Sequence, residues 1–474
     1  MQKFVAPFLV IILIFSIFST EYAIAVYALV AFILLLVLDR IGKGLVLLEM
    51  MAFHCCLTCL VAPLIGFQVY TIDSDIARLW VKVMTLDPAE YFNFVLPASI
   101  AYIIGLLFPF GRNRNIDYKE NILGIVYRIQ EYLADKTQMG LMLLAIGASC
   151  YFLQKSISGP VKHIFQLMYY FLFTGLLYVY YQKTFQLKWL VYTLVFGLLV
   201  YDAINTGMFT ILAYMSITIF SIFLLNKKVP FWRKLLFMCL GFAVFMVLQA
   251  SKYNYRNATW KESFEGSKTN VLSDEVQDKV SNFSTLFSEK AFFPIYSRLN
   301  QGYNIQLVMQ RVPAVQDFDY GTTLIEAFAS AFVPRLFWPD KPELGGAFNM
   351  KHFVGFDLVG WSTNIGPIGE AWGNFGRIGG IIYMFFLGFF IRFCVIRLFK
   401  WSKKRPLLML WIPVLFYEAT FAIEGDSLQI FNSIFKAAFF VWMLSKVFPA
   451  LFAEEKVVLK GNPATFSMHM GDTT

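Results

Sequence analysis

The chain has 474 residues, of which 58% are hydrophobic and only 15% charged, against about 25% charged in a typical soluble domain. With a mean hydropathy of +0.60 this excludes a soluble globular enzyme and points to a multi-pass membrane protein. The formal charge of +9 does not call for nucleic acid, because cytoplasmic loops of membrane proteins collect Lys and Arg.

A spanning helix needs about 20 mostly apolar residues. By that measure the chain is an all-α integral membrane protein with about twelve transmembrane helices, near 4–19, 22–39, 44–68, 92–110, 139–154, 161–181, 189–205, 209–225, 234–250, 378–397, 406–424 and 427–448. The N-terminal apolar run lacks a small-residue cleavage region, so it reads as the first span and not as a signal peptide. Cys55, Cys56, Cys59, Cys150, Cys239 and Cys394 all fall in apolar runs. "CCLTC" therefore reads as small-residue helix packing, not as a metal site. With the N-terminus inside, Arg112, Arg114, Lys119, Lys227, Lys228, Arg233, Lys234, Lys400, Lys403, Lys404 and Arg405 all lie on the cytoplasmic side. Asp73, Asp75, Asp87, Glu90, Glu424 and Asp426 fall outside. Both termini are then cytoplasmic, and 449–474 is a short cytoplasmic tail with a disordered end.

Between the ninth span (ending near 250) and the tenth (from 378) lies one long outer loop, 251–377. It carries twelve Lys or Arg and thirteen Asp or Glu, so it is near neutral and not a basic patch. A loop of this length is functional or disordered, and its Tyr, Trp, Asn and Pro content argues for order. Within it, Thr322–Val333 is apolar but too short to span, which fits a re-entrant or interfacial helix. The sequence has no GxGxxG, Walker A, HExxH or GxSxG motif and no evident internal repeat. The missing repeat weighs against a secondary transporter.

Four stretches of this loop stand out: "SKYNYRN" (251–257), Arg298 in "YSRLNQGYN", "FVPRLFWPDKPELGG" around Arg335, and "GPIGEAWGNFGRIGG" (366–380). The "VPRLFWPDKP" and "IGEAWGNFG" runs, the upstream Tyr-Arg and Ser-Arg positions, and many helices with one late outer loop resemble the O-antigen (Wzy-type) oligosaccharide repeat-unit polymerases. The local motifs cover 251–380; beyond them the likeness is one of hydropathy. The resemblance implies a membrane-embedded glycosyltransferase that moves a growing glycan from undecaprenyl diphosphate onto a lipid-linked repeat unit, on the outer face of a bacterial inner membrane. It also implies a partner protein that regulates chain length. The arginine that such proteins often carry between two mid-chain helices is missing from "DAINTGMF" (202–209).

The residue chemistry agrees with a diphosphate leaving group. The Arg fork donates two parallel hydrogen bonds to phosphate oxygens. Arg256, Arg298 and Arg335 lie in aromatic, Asn-rich or Pro-rich sequence, with Pro334 and Pro339 stiffening the chain and Lys341 adding a charge. Arginines beside a membrane also pair with acids such as Asp340 and Glu343, or with lipid headgroups. A sugar hydroxyl needs a base, and Glu370 is the first candidate, with Asp340, Asp202, Glu424, Asp426 and His352 in reserve. An acid in a helix's first turn is also favoured by the helix dipole alone. Tyr255, Trp338, Trp372 and Asn374, with Tyr253, Trp260, Tyr303, Asn304, Trp361 and Asn364, suit a carbohydrate and equally an interfacial belt. Glu418 and Lys436 sit at depths that differ by only about 5 Å in the last two spans and are expected to pair. We expect no cofactor, no catalytic metal and no nucleic acid. A glycan ligase with the same lipid donor is the alternative, and a lipid-linked oligosaccharide flippase ranks third.

Overall fold

In a computed structural model of the chain the structure describes residues 2–74, 76, 82–108, 116, 119–154, 156–157, 161–206, 219–225, 227–259, 266–333, 337–338, 345–359 and 362–452. Among them there are helices and no strands. The N-terminal helices are α1 (Val5–Phe18), α2 (Tyr22–Arg40), α3 (Leu47–Gln68) and α4 (Pro88–Leu107). There follow α5 (Lys119–Leu133), α6 (Thr137–Leu153), α7 (Val161–Tyr181), α8 (Lys188–Thr206) and α9 (Phe231–Thr259). After α9 come α10 (Lys268–Ser281), α11 (Glu289–Leu299), α12 (Gly302–Arg311) and α13 (Thr322–Phe332). The chain ends in α14 (Gly366–Ser402), α15 (Pro406–Thr420) and α16 (Ser427–Val447).

Seven of these helices are long and apolar enough to cross a membrane: α2, α3, α4, α7, α9, α14 and α16. The chain is thus an all-α membrane protein. Helices α1, α6 and α15 are apolar but too short, at 17 residues or fewer, to count among these seven, and most of the expected span at 209–225 lies outside the described residues. So do Arg335, Asp340, Lys341, Trp260, Trp361 and the tail from 453. Thr322–Val333 is helical as expected, in α13, which packs on α16 with Phe328 and Phe332 against Phe435. The described residues between α9 and α14 include helices that pack on the spans: α10 and α11 on α9, α11 on α3, and α12 on α14.

Two features of sequence shape the bundle. Helix α4 runs along α14, and glycines allow that approach. A side chain at Gly105 would meet the backbone of Phe385, Gly388 and Phe389, and one at Gly388 the backbone of Tyr102 and Leu106. Helix α14 bends at Gly376 (φ +64°, ψ −157°), a left-handed conformation that favours glycine. The bend separates the Gly366–Phe375 stretch from the longer apolar part of the helix.

We predict that Gly105→Leu lowers stability by about 1–3 kcal/mol or more through overpacking. Gly124→Ala, at a site with nothing within 4 Å, is the neutral control. Thermal unfolding of the detergent-purified protein distinguishes them; equal melting temperatures would contradict the packing.

Candidate functional site

Helix α3 widens into π-helical turns over Cys56–Val61, the stretch that contains most of "CCLTC". Cys55, Cys56 and Cys59 are buried in the core there. Such insertions disturb the regular helical ladder and are frequent at functional sites. Two carbonyls of this stretch accept bonds from outside the helix: Thr58 from the Gln301 backbone N–H (3.1 Å) and Cys59 from the Tyr91 hydroxyl (2.9 Å). Gly302 follows, pressed so closely on Pro63 and Tyr91 that a side chain would not fit. The junction of α11 and α12 therefore dips beside α3 to the level of Thr58, roughly 15 Å along the helix from Gln68 at about 1.5 Å per residue.

Arg298 stands on the last turn of α11, just above this junction. Its Nη2 donates to Oε2 of Glu424 at 2.7 Å. The other oxygen, Oε1, bonds Nε2 of His54 in α3 at 2.9 Å. Glu424 and His54 are nearly enclosed, with side chains 14% and 9% exposed, while Arg298 is 37% exposed and reaches toward the open side. Burial alone would push the Glu424 carboxyl up, but Arg298 and His54 outweigh it and hold it down at about 2. It is ionised at neutral pH.

Further positive charge lies nearby. Nζ of Lys82, from the segment before α4, donates to the Ser297 carbonyl at 3.0 Å and lies in electrostatic reach of Arg298 and Glu424. Burial first, and Arg298 next, push Lys82 down to about 8, with Glu424 partly offsetting them. Lys252 and Arg256 stand one turn apart on the same face of α9; Lys252 lies in reach of Arg256, Arg298 and Glu424. Lys82, Lys252 and Arg298, from three separate parts of the chain, thus gather around Glu424, with Arg256 beside Lys252 and Arg298.

The turn that carries Glu424 is fastened by a second network. Glu370, 4% exposed, accepts from Asn349 Nδ2 (2.9 Å) through one oxygen. Through the other it accepts from the Ser427 backbone N–H (2.8 Å) and hydroxyl (2.5 Å). Asp426 caps α16 by accepting from the Gln429 N–H (2.6 Å), and its other oxygen accepts from Asn364 Nδ2 (2.6 Å). The Asn364 carbonyl in turn accepts from Gln301 Nε2 (2.8 Å) and Asn304 Nδ2 (2.7 Å). Residues 421–427 are thereby tied to α14 on one side and to the α11–α12 junction on the other.

The sequence-predicted residues divide accordingly. Arg256 and Arg298 come together. Glu370 lies in the fastening network with both oxygens engaged. Asn374 is fully buried, accepting from the Gly321 N–H (3.1 Å) and the Thr323 hydroxyl (2.9 Å). Trp372 Nε1 donates to the Val312 carbonyl (2.8 Å), and its ring packs against Phe94. Tyr255 is buried and its hydroxyl bonds the Ile204 carbonyl. Trp338 is half-buried; Arg335, Asp340 and Lys341 lie outside the described residues. His352 bonds Asp319 (2.8 Å) away from Arg298. Glu418 and Lys436 lie in electrostatic reach of one another.

Sequence reasoning missed His54, Lys82 and Lys252 and held Glu424 only in reserve. His54 did carry a signal, since an ionisable residue inside an apolar span normally faces a polar interior. Lys252 carried one too, four residues before Arg256. Among the described residues no group of three or more His, Cys, Asp or Glu is placed to hold a metal ion.

A family model described as a domain of unknown function, DUF8712, matches residues 90–401. The chain belongs to the DUF8712 family. The matched stretch includes Lys252, Arg256, Arg298 and Glu370, whereas His54, Lys82 and Glu424 lie on either side of it. No curated protein and no solved structure matches the chain.

The clamp on Glu424 carries a pH signature. Its folded-state pKa lies below the ordinary carboxylate value, so the pairing stabilises the fold fully above about pH 4.5 and is lost as pH falls toward about 2. At neutral pH Glu424→Gln should cost about 2–4 kcal/mol, the lower part of that range reflecting the partial exposure of Arg298. The difference between wild type and variant should shrink on acidification. Thermal melting across pH measures it, and a difference independent of pH would contradict the assignment.

Proposed function

We propose that the cluster around Arg298 binds the diphosphate of a polyprenyl-linked glycan, and that this DUF8712 protein is a membrane glycosyltransferase that polymerises lipid-linked oligosaccharide repeat units. The observation that carries the reading is that Lys82, Lys252 and Arg298 come together at Glu424, with Arg256 beside Lys252 and Arg298. Partly buried cations drawn together from distant parts of the chain suit a multiply charged anion. The resemblance of the 251–380 motifs to the O-antigen polymerases supplies the glycan.

In this reading the membrane is the bacterial inner membrane, with about twelve spans, cytoplasmic termini and residues 251–377 on the outer face. The charge distribution supports that orientation. Lys234 donates to the Leu38 carbonyl (2.9 Å) with Lys43 nearby, and Gly42 abuts Lys227, so these basic residues gather at the end of α2 and the start of α9. The Arg298 cluster lies toward the far end of α9 and near the middle of α3, where His54 and Thr58 stand.

During transfer the acceptor hydroxyl bonds to the anomeric carbon, the bond from that carbon to the diphosphate oxygen breaks, and negative charge collects on the leaving oxygen. Arg298 and Arg256 stabilise that charge. As diphosphate draws Arg298 away, Glu424 loses its partner and gains proton affinity, which suits it to take the hydroxyl proton. Glu370 acts by fastening the 421–427 turn. The lipid donor and the surrounding membrane lipid are the binding partners, with a chain-length regulator a further one.

Purified protein in liposomes that hold undecaprenyl-diphosphate-linked repeat units tests this. We expect lengthening of the glycan, and a loss of about 100-fold or more in rate for Arg298→Ala, the scale of one lost leaving-group donor at about 2.7–4 kcal/mol. Polymer that stays at one repeat with wild-type protein, or an Arg298→Ala variant of full activity, would overturn the proposal.

A further inference from the structure

Lys436 is the tenth residue of α16, a helix long and apolar enough to cross a membrane, and its side chain is exposed on that helix. Among the described residues no hydrogen bond or ion pair engages its amine; Glu418 of α15 and His163 of α7 lie only in electrostatic reach. An ionisable side chain on a span normally faces a polar partner. Ring contacts fix the place. Helix α7 packs on α16 through Phe171 and Phe440 (5.9 Å) and on α15 through Tyr170 and Tyr417 (4.4 Å). Further along both helices the Tyr178 hydroxyl donates to the Leu451 carbonyl, so α7 and α16 run the same way. Lys436 stands one turn before Phe440 and His163 about two turns before Phe171, on the same side of that contact. His163 is the third residue of α7, which puts the site where that span begins. Two more atoms there lack partners. Nε2 of His163 and Oδ1 of Asn432, one turn before Lys436, are buried with no hydrogen bond. Such atoms are costly unless something pairs with them.

One face of α16 carries Asn432, Lys436, Phe439 and Met443 in that order, spaced by four, three and four residues. Phe439 and Met443 are 64% and 41% exposed. The face therefore runs from amide and cation near the start of the helix to apolar surface toward its middle. A lipid of the leaflet on that side has the same order, head outward and chain inward. We propose that α7 and α16 hold an anionic phospholipid in the leaflet at the Ser427 end of α16. Its phosphate diester sits at Lys436 and His163, a headgroup hydroxyl at Asn432, and an acyl chain along Phe439 and Met443. The lysine amine and a ring N–H donate to phosphate oxygens, while the Asn432 carbonyl accepts from the hydroxyl. Phosphatidylglycerol offers that combination of charge, acceptors and donor. Phosphatidylcholine has neither net charge nor a headgroup donor. The site is independent of the Arg298 cluster and of the reaction proposed for it.

Photocrosslinking tests this. The full-length protein carrying Phe439→p-benzoylphenylalanine is placed in nanodiscs of equal parts phosphatidylglycerol and phosphatidylcholine with a trace of undecaprenyl phosphate. After illumination the captured lipid is identified by mass spectrometry. We expect phosphatidylglycerol to be captured about fivefold over phosphatidylcholine, the scale set by one lysine at an anionic lipid surface. Lys436→Met in the same background should bring the ratio to about one, and Lys436→Arg should preserve it. Salt at about 1 M should also bring the parent ratio toward one, which decides the matter even where Lys436→Met does not fold. A parent ratio near one, or a ratio unmoved by both Lys436→Met and salt, would overturn the inference. Enrichment of undecaprenyl phosphate in place of phosphatidylglycerol would overturn it too, by assigning the site to a prenyl lipid.

Discussion

Buried positive charge needs negative charge beside it, and among the described residues Glu424 supplies it to Arg298 directly and to Lys82 and Lys252 at longer range. Glu424 is gripped by Arg298 on one oxygen and His54 on the other. Arg298 also lies in reach of Lys82, Lys252 and Arg256, so this carboxylate offsets repulsion among cations drawn from separate parts of the chain.

Much of the molecule serves to keep that carboxylate in place. Helices α15 and α16 meet at a turn with little regular structure of its own. Glu370 holds the first residue of α16, Asp426 caps the helix, and Asn364 links Asp426 to Gln301 and Asn304. On the opposite side, the π-helical turns of α3 carry His54 just before them and receive the α11–α12 junction through Thr58. The site thus draws on segments far apart in the chain. Parts of it, His54, Lys82 and Glu424, lie beyond the stretch shared with the DUF8712 family.

Hydropathy made the spans legible. The expected 22–39, 44–68 and 427–448 correspond to Tyr22–Arg40, Leu47–Gln68 and Ser427–Val447. Apolar length is a local property, so it can be read without tertiary contacts. The helices of the 251–377 segment were less visible, because amphipathic stretches such as Glu289–Leu299 and Gly302–Arg311 look like polar loop until something packs on one face. Lys119–Leu133 escaped for the same reason. The site divides along the same line. Arg256 and Arg298 stood out as arginines in aromatic and Asn-rich sequence, but their carboxylate could not be read from spacing, since Glu424 lies 126 residues from Arg298. Glu370 drew notice for its glycine-rich setting, which reflects close packing: a side chain at Gly373 would strike Phe353. Its hydrogen bonds to Asn349 and Ser427 became visible only once α14 and α16 were placed together.

The proposal that the cations around Arg298 hold a diphosphate is tested most directly by a cryo-electron microscopy map of the protein with undecaprenyl diphosphate bound. The account predicts phosphate density within hydrogen-bonding distance of Arg298 and Arg256, with Lys82 alongside and the contact between Arg298 and Glu424 loosened. Diphosphate seated elsewhere, with Arg298 still closed on Glu424, would contradict it.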